Sequence, residues 1–587
     1  MKIVRELAKY VKGYWGQMIG AWVAVILEVG CEVAIPFLMQ PLINEIKNGE
    51  TVGGVIRPEV IWLYAGIMIG LAVVSTICGI LGGYFASGAS AGFGKNLRQE
   101  MYYRIQKFSF ENIDRFSVSS LVTRLTTDIT NVQFSLQMIL RMVVRGPLML
   151  ILAWVMASIT AIELSWVFLV SIPVMAIGMF SIMMVVHPTF VKVFNAYDDL
   201  NESVKENLEG IRVVKSFSRE DFEKEKFGKV SWYIYNNFAK AERVMAWNNP
   251  IVLLSVQATI LALAYLGAKL VIGSNGHFDV GQLSSFFTYT MQIMMSLTFM
   301  SMAVIMVIIS RTSANRIYEV LQEKPTLVSP ENAVKEVKDG SIEFDHVFFR
   351  YSETATKDVL HDINLKVESG SSLGIIGTTG SSKSTLVSLL ARLYDVKEGT
   401  VKIGGLDVRD YDLEVLRDSV AMVLQKNTLF TGTIASNLRW GNENATDEEL
   451  KEACEIAQAA EFIESFPEKY NSPIEQGGTN VSGGQKQRLC IARALLKKPK
   501  ILVLDDSTSA VDTKTDSLIR KGFMEKLPGM TRVIVAQRIL SIKDCDQIAI
   551  IDDGKIIGLG NHDTLMATSP VYKEIYDAQL GGDFDVQ

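Results

Sequence analysis

The 587-residue chain has only five cysteines, and they are scattered along its length. None belongs to a C-x-x-C pair, and no histidine lies at metal-ligand spacing from any of them. The sequence therefore predicts neither a disulfide framework nor a cysteine–histidine metal site, and it favours a reducing compartment for these thiols. The five are Cys31, Cys78, Cys454, Cys490 and Cys545.

An excess of basic residues is also lacking, because the formal net charge is −6 at pH 7. This charge gives no support for nucleic-acid binding, and we expect no nucleic-acid partner. The basic, amphipathic N-terminal segment MKIVRELAKYVKGYWG has no small-residue cleavage site of the kind that ends a secretory signal. We therefore expect the first apolar segment to remain in the mature protein.

Long stretches of the first half carry no charge at all: none lies between Glu59 and Lys95, and none from Val280 to Ser310. A helix as long as the first stretch would extend about 50 Å, beyond the ~30 Å hydrocarbon core of a bilayer. Four further apolar segments complete a predicted α-helical domain of six transmembrane helices, residues 1–312, surrounded by a lipid bilayer. The predicted spans are approximately residues 14–43, 58–90, 133–160, 162–187, 244–271 and 279–310.

The polar segments between the predicted spans differ in charge. Residues 95–129 and 187–243 are long and rich in Lys and Arg, whereas the other links are short or nearly uncharged. The positive-inside rule then predicts that both termini and both long segments are cytoplasmic, in a multi-pass plasma-membrane protein. The few extracellular residues favour a bacterial membrane, and an apolar period close to 3.6 predicts long helical extensions of the spans.

Two features inside the spans are candidates for a substrate cavity. Glu28 and Glu32 lie four residues apart on one helix face, where an ionised carboxylate in lipid would cost several kcal/mol. Either they attract a cationic substrate, or they form a polar pairing within the bundle or lie near the outer interface. The last span is rich in methionine, including Met291 and Met295, which suits either an adaptable ligand surface or ordinary helix contacts.

Beyond Arg311 the composition changes, and we interpret residues 313–340 as a linker and residues 341–587 as an α/β domain. The segment GIIGTTGSSKSTLVSLL, Gly374 to Leu390, has the strand–loop–helix layout of a phosphate-binding loop. Lys383 would add a cation and Ser384 a hydroxyl ligand for Mg²⁺. Ser382, however, stands where the pattern requires glycine.

Two further motifs favour a nucleotide site. KPKILVLDD is suited to a central parallel strand that ends in Asp505 and Asp506; one acid could hold Mg²⁺ and the other orient the attacking water. NVSGGQKQRLCIARALLKKP brings hydrogen-bond donors to the start of a basic helix, where they could bind a phosphate of this chain or of another. Those donors are Ser482, Gly483, Gly484 and Gln485.

Together these motifs resemble ATP-binding cassette transporters, and six spans followed by one P-loop cassette resemble an exporter-type half-transporter. The resemblance implies ATP and Mg²⁺ as cofactors, and a dimer in which each ATP lies between one chain's Walker loop and the other's signature. It implies that Tyr351 stacks on adenine, that Gln425 couples the metal to the membrane domain, and that Asp512 belongs to the D-loop. The Walker loop comprises Gly377, Thr378, Thr379, Gly380, Ser381, Ser382, Lys383, Ser384 and Thr385; the metal ligands would be Ser384, Gln425 and Asp505; and Ser482 to Gln485, with Asp512, would act on ATP bound to the partner.

Three departures from the family pattern fall in one site. Asp506 replaces the catalytic glutamate, Gln537 replaces the switch histidine, and Ser382 replaces a loop glycine. They resemble the degenerate half of a heterodimeric multidrug exporter, so we expect a second half-transporter as partner and amphipathic or cationic small molecules as substrates. Lipid or peptide export is the alternative within transport. A nucleotide-gated, non-hydrolytic regulator or channel is the alternative from another class, and the intact signature argues against it.

Overall fold

The computed structural model describes residues 2–51, 57–273, 278–352, 357–506 and 511–580. The chain forms two compact units. One comprises Met1–Gln106 and Ser119–Glu323, and the other comprises Lys107–Val118 and Lys324–Gln587.

The membrane unit is helical, and its described part contains six helices that are long and apolar enough to cross a bilayer. This confirms the six predicted spans. They are Trp15–Lys47, Pro58–Gln106, Val118–Thr160, Ile162–Phe190, Glu220–Gly273 and Val280–Gln322, numbered here from the first span to the sixth. The underlying α-helices are Lys2–Ala8, Trp15–Thr51, Pro58–Gln106, Val118–Thr123, Ile129–Met138, Val144–Thr160, Ile162–Glu209, Ile211–Ser216, Glu220–Met245, Asn248–Gly273 and Val280–Gln322.

The long helical extensions are confirmed, because one helix continues to Glu209 and another begins at Glu220. The third span is irregular: it contains two π-helical turns, Arg124–Asp128 and Ile139–Val143. Each such turn places an extra residue in the helix and is frequent at functional sites.

The boundary between the units differs from the prediction in two places. The sixth span continues to Gln322, into the predicted linker, because its apolar side chains remain buried on one face. Lys107–Val118, which we assigned to the membrane domain, packs with the cassette. There the phenol of Tyr394 donates a 2.6 Å hydrogen bond to Asp114, and Phe110 meets the same ring edge-on.

The cassette has two main sheets. A six-stranded sheet has the order β12-β11-β3-β10-β9-β6, and only β12 pairs antiparallel in it. An antiparallel sheet has the order β2-β1-β4-β5. The strands are β1 Ile342–Phe349, β2 Leu360–Val367, β3 Ser372–Ile376, β4 Glu398–Ile403, β5 Leu406–Asp407, β6 Val420–Val423, β7 Gly432–Thr433, β8 Pro473–Ile474, β9 Ile501–Asp505, β10 Thr531–Val535, β11 Gln547–Asp552 and β12 Lys555–Gly560.

Helices cover the parallel sheet, whose strands are almost wholly buried, as expected for a sheet with both faces packed. The α-helices are Lys383–Ser388, Leu413–Ser419, Ile434–Leu438, Asp447–Ile456, Ala460–Ser465, Gly483–Leu495, Thr513–Lys526, His562–Thr568 and Pro570–Leu580. This α/β domain after the helical domain confirms the predicted fold class.

Candidate nucleotide site

The candidate site lies at the carboxyl edge of four neighbouring parallel strands. The phosphate loop follows β3, Gln425 follows β6, Asp505 ends β9 and Gln537 follows β10. Ligands of open α/β sheets bind at this edge, because loops from adjacent strands converge there. Motifs separated by more than a hundred residues in sequence are therefore brought together by strand order.

The phosphate loop is tight, and two of its positions require glycine for different reasons. A Cβ on Gly377 would come within 2.0 Å of the Ile551 carbonyl oxygen, and Gly380 has a φ of +88°. Ser382 has a φ of +74°, in the left-handed region that costs a non-glycine residue roughly 1–2 kcal/mol. The serine therefore adopts the conformation for which the family pattern uses glycine, and the backbone is strained there.

Lys383 bends back over the loop that precedes it. Its ammonium donates to the carbonyl oxygens of Gly377 at 3.0 Å and Thr378 at 2.7 Å, and to the Ser381 hydroxyl at 3.3 Å. Burial lowers the pKa of Lys383, while the charges of Asp506 and Asp505 oppose that shift. The cation thus lies inside the curve of the loop, where phosphate oxygens could replace the carbonyls as its partners.

The proposed metal ligands are partly assembled. The Ser384 hydroxyl donates a 3.0 Å hydrogen bond to Asp505, and burial raises the pKa of that carboxyl. A hydroxyl, a carboxylate and the amide oxygen of Gln425 are hard oxygen donors, which fit Mg²⁺ completed by phosphates and water. Among the described residues there is no group of three or more His, Cys, Asp or Glu that could hold a metal ion.

Asp506 is held by neutral donors. The side-chain amide of Gln537 donates to its carboxylate at 2.7 Å, and that of Gln425 does so at 3.3 Å. Its φ of +47° is left-handed, and burial raises the pKa of its carboxyl. Two of the three positions that depart from the family pattern, 506 and 537, are therefore in direct contact.

Tyr351 has the setting of a base-stacking residue. Its ring meets Phe349 and Tyr394 edge-on, its hydroxyl lies 2.8 Å from that of Thr385, and it remains 44% exposed. An open cavity of about 340 Å³ lies nearby, a size in the range of small-molecule sites. It is lined by Val359, Thr379, Gly380, Ser382, Lys383, Ser384, Thr385, Gln425, Asp505, Asp506, Val535 and Gln537.

The signature residues do not line this cavity. Ser482 caps the helix Gly483–Leu495: its hydroxyl accepts from the Gln485 amide at 3.2 Å, and the Gln485 side chain accepts from the Ser482 amide at 2.9 Å. Asp512 caps Thr513–Lys526 through the Thr515 amide, and that hydrogen bond lowers the pKa of its carboxyl. Ser482 and Gly483 are exposed, and the Ser482 hydroxyl, which accepts one hydrogen bond in the cap, can still donate its own proton to a ligand.

The candidate substrate residues of the membrane unit have a partner that the sequence analysis missed. Arg145 donates to both carboxylate oxygens of Glu32, at 2.8 and 2.7 Å, and also pairs with Glu28. This is the polar pairing that the sequence left open as one alternative. Two acids on one helix face within a span are a signal for a cation at similar depth in another span. Met291 and Met295 are about half exposed.

Comparisons with known proteins agree with the two units. A model of the ABC transporter transmembrane region matches residues 18–297, and a model of the ABC transporter matches residues 360–509. An uncharacterized ABC transporter ATP-binding protein of Mycobacterium tuberculosis is 35% identical and covers 87% of this chain and 88% of its own length. YfiB of Bacillus subtilis, described in the same words, is 32% identical over 96% of each chain.

A solved structure supports the fold over almost the full length. A bacterial Atm1-family ABC exporter with ATP bound aligns with a TM-score of 0.82 over 97% of this chain and 98% of its own, at 23% identity. That identity supports the fold alone. Six apolar helices, the assembled phosphate-loop site and relatives of this similarity lead to one conclusion: the chain belongs to the ATP-binding cassette transporter family.

Proposed function

We propose that this chain is one half of a heterodimeric exporter that couples ATP binding and hydrolysis to outward transport of amphipathic compounds. One observation carries this proposal: the Gln537 amide donates a 2.7 Å hydrogen bond to Asp506, and the family resemblance implies that these are the switch-histidine and catalytic-glutamate positions. The aspartate is one methylene shorter than glutamate, and a displacement of about 1 Å can cost on the order of a hundredfold in rate. This chain's own site therefore binds ATP and hydrolyses it slowly or not at all.

Within that site, each residue has a role in holding the nucleotide. Tyr351 stacks on the base, the loop amides and Lys383 bind the phosphates, and Asp505 faces the metal. Ser384 and Gln425 complete the protein's ligands for Mg²⁺, which when bound neutralises phosphate charge. Gln537 can donate a hydrogen bond to a phosphate, but an amide does not exchange a proton near neutral pH.

The partner would supply the competent site. The capped signature helix with exposed Ser482 is arranged to bind a phosphate from outside this chain's loop, as donors at a helix N-terminus do. Turnover at the partner's Walker loop then depends on this chain's signature, and nucleotide-driven closure of the cassettes moves the long helices of the membrane units.

The decisive experiment restores the two catalytic positions. We would purify this chain with its partner half, replace the partner's Walker lysine, and measure ATP turnover from this chain's site alone. Asp506→Glu with Gln537→His should raise that turnover on the order of a hundredfold, since a positioned acid–base group contributes at least that much. Asp563→Glu, an exposed aspartate in another helix, serves as the matched control. Equal rates for both variants would contradict the degenerate site.

A second variant tests which site the signature serves. In the pair with an intact partner, Ser482→Ala should lower turnover about a hundredfold, as the loss of one preorganised donor does. Thr446→Ala removes the same kind of capping box from Asp447–Ile456, a helix that carries none of the motifs, and should leave turnover unchanged. Full activity of the Ser482 variant would overturn the assignment.

A further inference from the structure

We propose that Arg141 binds an anionic group of the transported compound, so that the membrane unit accepts amphipathic organic anions rather than cations. This inference rests on the proposed transport function. It reverses the sign of charge that Glu28 and Glu32 suggested from sequence alone.

The two acids of the first span are already paired with the guanidinium of Arg145. Arg145 holds Glu32 at 2.8 and 2.7 Å and contacts Glu28, whose side chain is only 9% exposed. A cationic substrate would have to displace a guanidinium that makes several charge-assisted hydrogen bonds. The acids are therefore a poor site for a cation.

A second arginine of the third span, Arg141, lies close to Arg145 in sequence. Arg141 precedes Arg145 by four residues and lies in the π-helical turn Ile139–Val143. Among the residues that the structure describes, none accepts a hydrogen bond or forms an ion pair with its guanidinium, and the side chain is half-buried. A Cβ added at Gly83 would lie 3.4 Å from its Nη1, so the guanidinium rests against bare helix backbone.

An arginine without a partner is energetically unfavourable inside a membrane. An arginine at membrane depth costs about 3 kcal/mol, and such residues face a cavity or a partner rather than lipid. The guanidinium fork matches a carboxylate, sulfonate or phosphate through two parallel hydrogen bonds. An anionic ligand would therefore supply the partner that Arg141 does not have within the described chain.

The sixth span, which the π turn contacts, has exposed side chains suited to the apolar part of an amphipathic molecule. The π turn packs against the first, second and sixth spans, and turns of this kind are frequent at functional sites. The sixth span exposes Met295 and Met302 at 58% and 56%, and thioether side chains adapt to varied apolar shapes.

The experiment measures binding without hydrolysis. The chain with its partner half, in nanodiscs of phosphatidylcholine and without nucleotide, is titrated with naphthalene sulfonate and with naphthyl trimethylammonium, which share a ring and differ in charge. We expect the sulfonate to bind more tightly to the unmodified protein. Arg141→Gln should weaken sulfonate binding about tenfold or more, and Arg141→Lys should weaken it less, since the charge remains while the fork is lost.

Lys269→Gln is the matched control, because Lys269 is an exposed cation of the fifth span. It should leave sulfonate affinity unchanged. Tighter binding of the ammonium probe, no binding of the sulfonate, or equal sulfonate affinity of the Arg141→Gln protein would each overturn the proposal. If the Arg141→Gln protein does not fold, the Arg141→Lys protein still tests the proposal, because it retains the charge. The titration does not depend on ATP turnover. A negative titration would therefore leave the ATP-site proposal standing, and a negative ATP-turnover result would not prevent the titration from being interpreted.

Discussion

Two pairs of carboxylates, one in each unit, are stabilised in opposite ways. In the membrane unit, Glu28 and Glu32 share the guanidinium of Arg145. In the cassette, Asp505 and Asp506 receive hydrogen bonds from a serine hydroxyl and two glutamine amides. The first pair is held by one cationic side chain, whereas the hydrogen bonds named for the second pair come from neutral side chains.

The electrostatics of the cassette pair reflect this difference. Burial raises the pKa of Asp505 and of Asp506, while the ammonium of Lys383 is occupied by loop carbonyls. The folded cassette thus holds two partly desolvated acids that a Mg²⁺-nucleotide would stabilise. We therefore expect the cassette pair to respond to Mg²⁺-nucleotide and the membrane pair to contribute to stability.

The largest expected effect comes from breaking the membrane pairing. Arg145→Gln leaves two acids without a cation and should lower the free energy of unfolding by about 3 kcal/mol, as the loss of one partner of a buried ion pair does. Denaturant titration of the purified protein in detergent would measure the change.

The matched control is Lys229→Gln, which removes an exposed i,i+4 pair with Glu225 and should cost at most about 0.5 kcal/mol. Replacing Glu28, Glu32 and Arg145 together by Gln should recover most of the lost stability, because no uncompensated charge remains. Equal stability of the Arg145 variant and the control would mean that the acids do not depend on the arginine.

An intermediate effect is expected from neutralising the cassette pair. Asp505→Asn should abolish the stabilisation that Mg²⁺-ATP gives this chain's cassette, about 2.7 kcal/mol at a ligand concentration one hundred times its Kd. Without nucleotide the same variant should melt at higher temperature near pH 7, because a desolvated charge has been removed. Thermal melting with and without Mg²⁺-ATP measures both changes.

The stability difference between the Asp505→Asn variant and the unmodified protein should depend on pH. Burial raises the pKa of Asp505 above 3.8, so the advantage of the Asn variant is present above that raised pKa and shrinks as the pH falls through it. Asp546 serves as a control whose pKa shifts in the opposite direction, because hydrogen bonds from Ser372 lower the pKa of its carboxyl. Asp546→Asn should destabilise the protein near pH 7, and less so in acid. The same sign for both variants would contradict the comparison.

The smallest expected effect concerns the backbone of the phosphate loop. Ser382→Gly should stabilise the cassette by about 1 kcal/mol, because glycine adopts a φ of +74° without the Cβ penalty. Gly380→Ala should have the reverse effect, since its φ is +88° and open space surrounds the added Cβ. Thermal melting without nucleotide compares the two. Destabilisation by both substitutions would show that Ser382 contributes a contact that outweighs its strain.

Much of this protein could be predicted from its sequence, because the signals are local. Uncharged stretches predicted the six spans, since hydrocarbon excludes charge over a fixed thickness. The phosphate loop and the acidic end of β9 were identified because a strand, its turn and the next helix are contiguous in the chain.

The contacts of each acid and the backbone angles of the loop depend on long-range packing and could not be predicted from the sequence. Arg145 lies 117 and 113 residues from the two glutamates that it binds, and Gln425 lies 81 residues from Asp506. Such pairings depend on how helices and strands pack, which no local pattern encodes. The φ of Ser382 likewise follows from the closure of the loop. Charge and residue pattern along the chain were enough to predict the two-domain architecture and to propose the residues of a nucleotide site, whereas packing set the side chains that those residues contact.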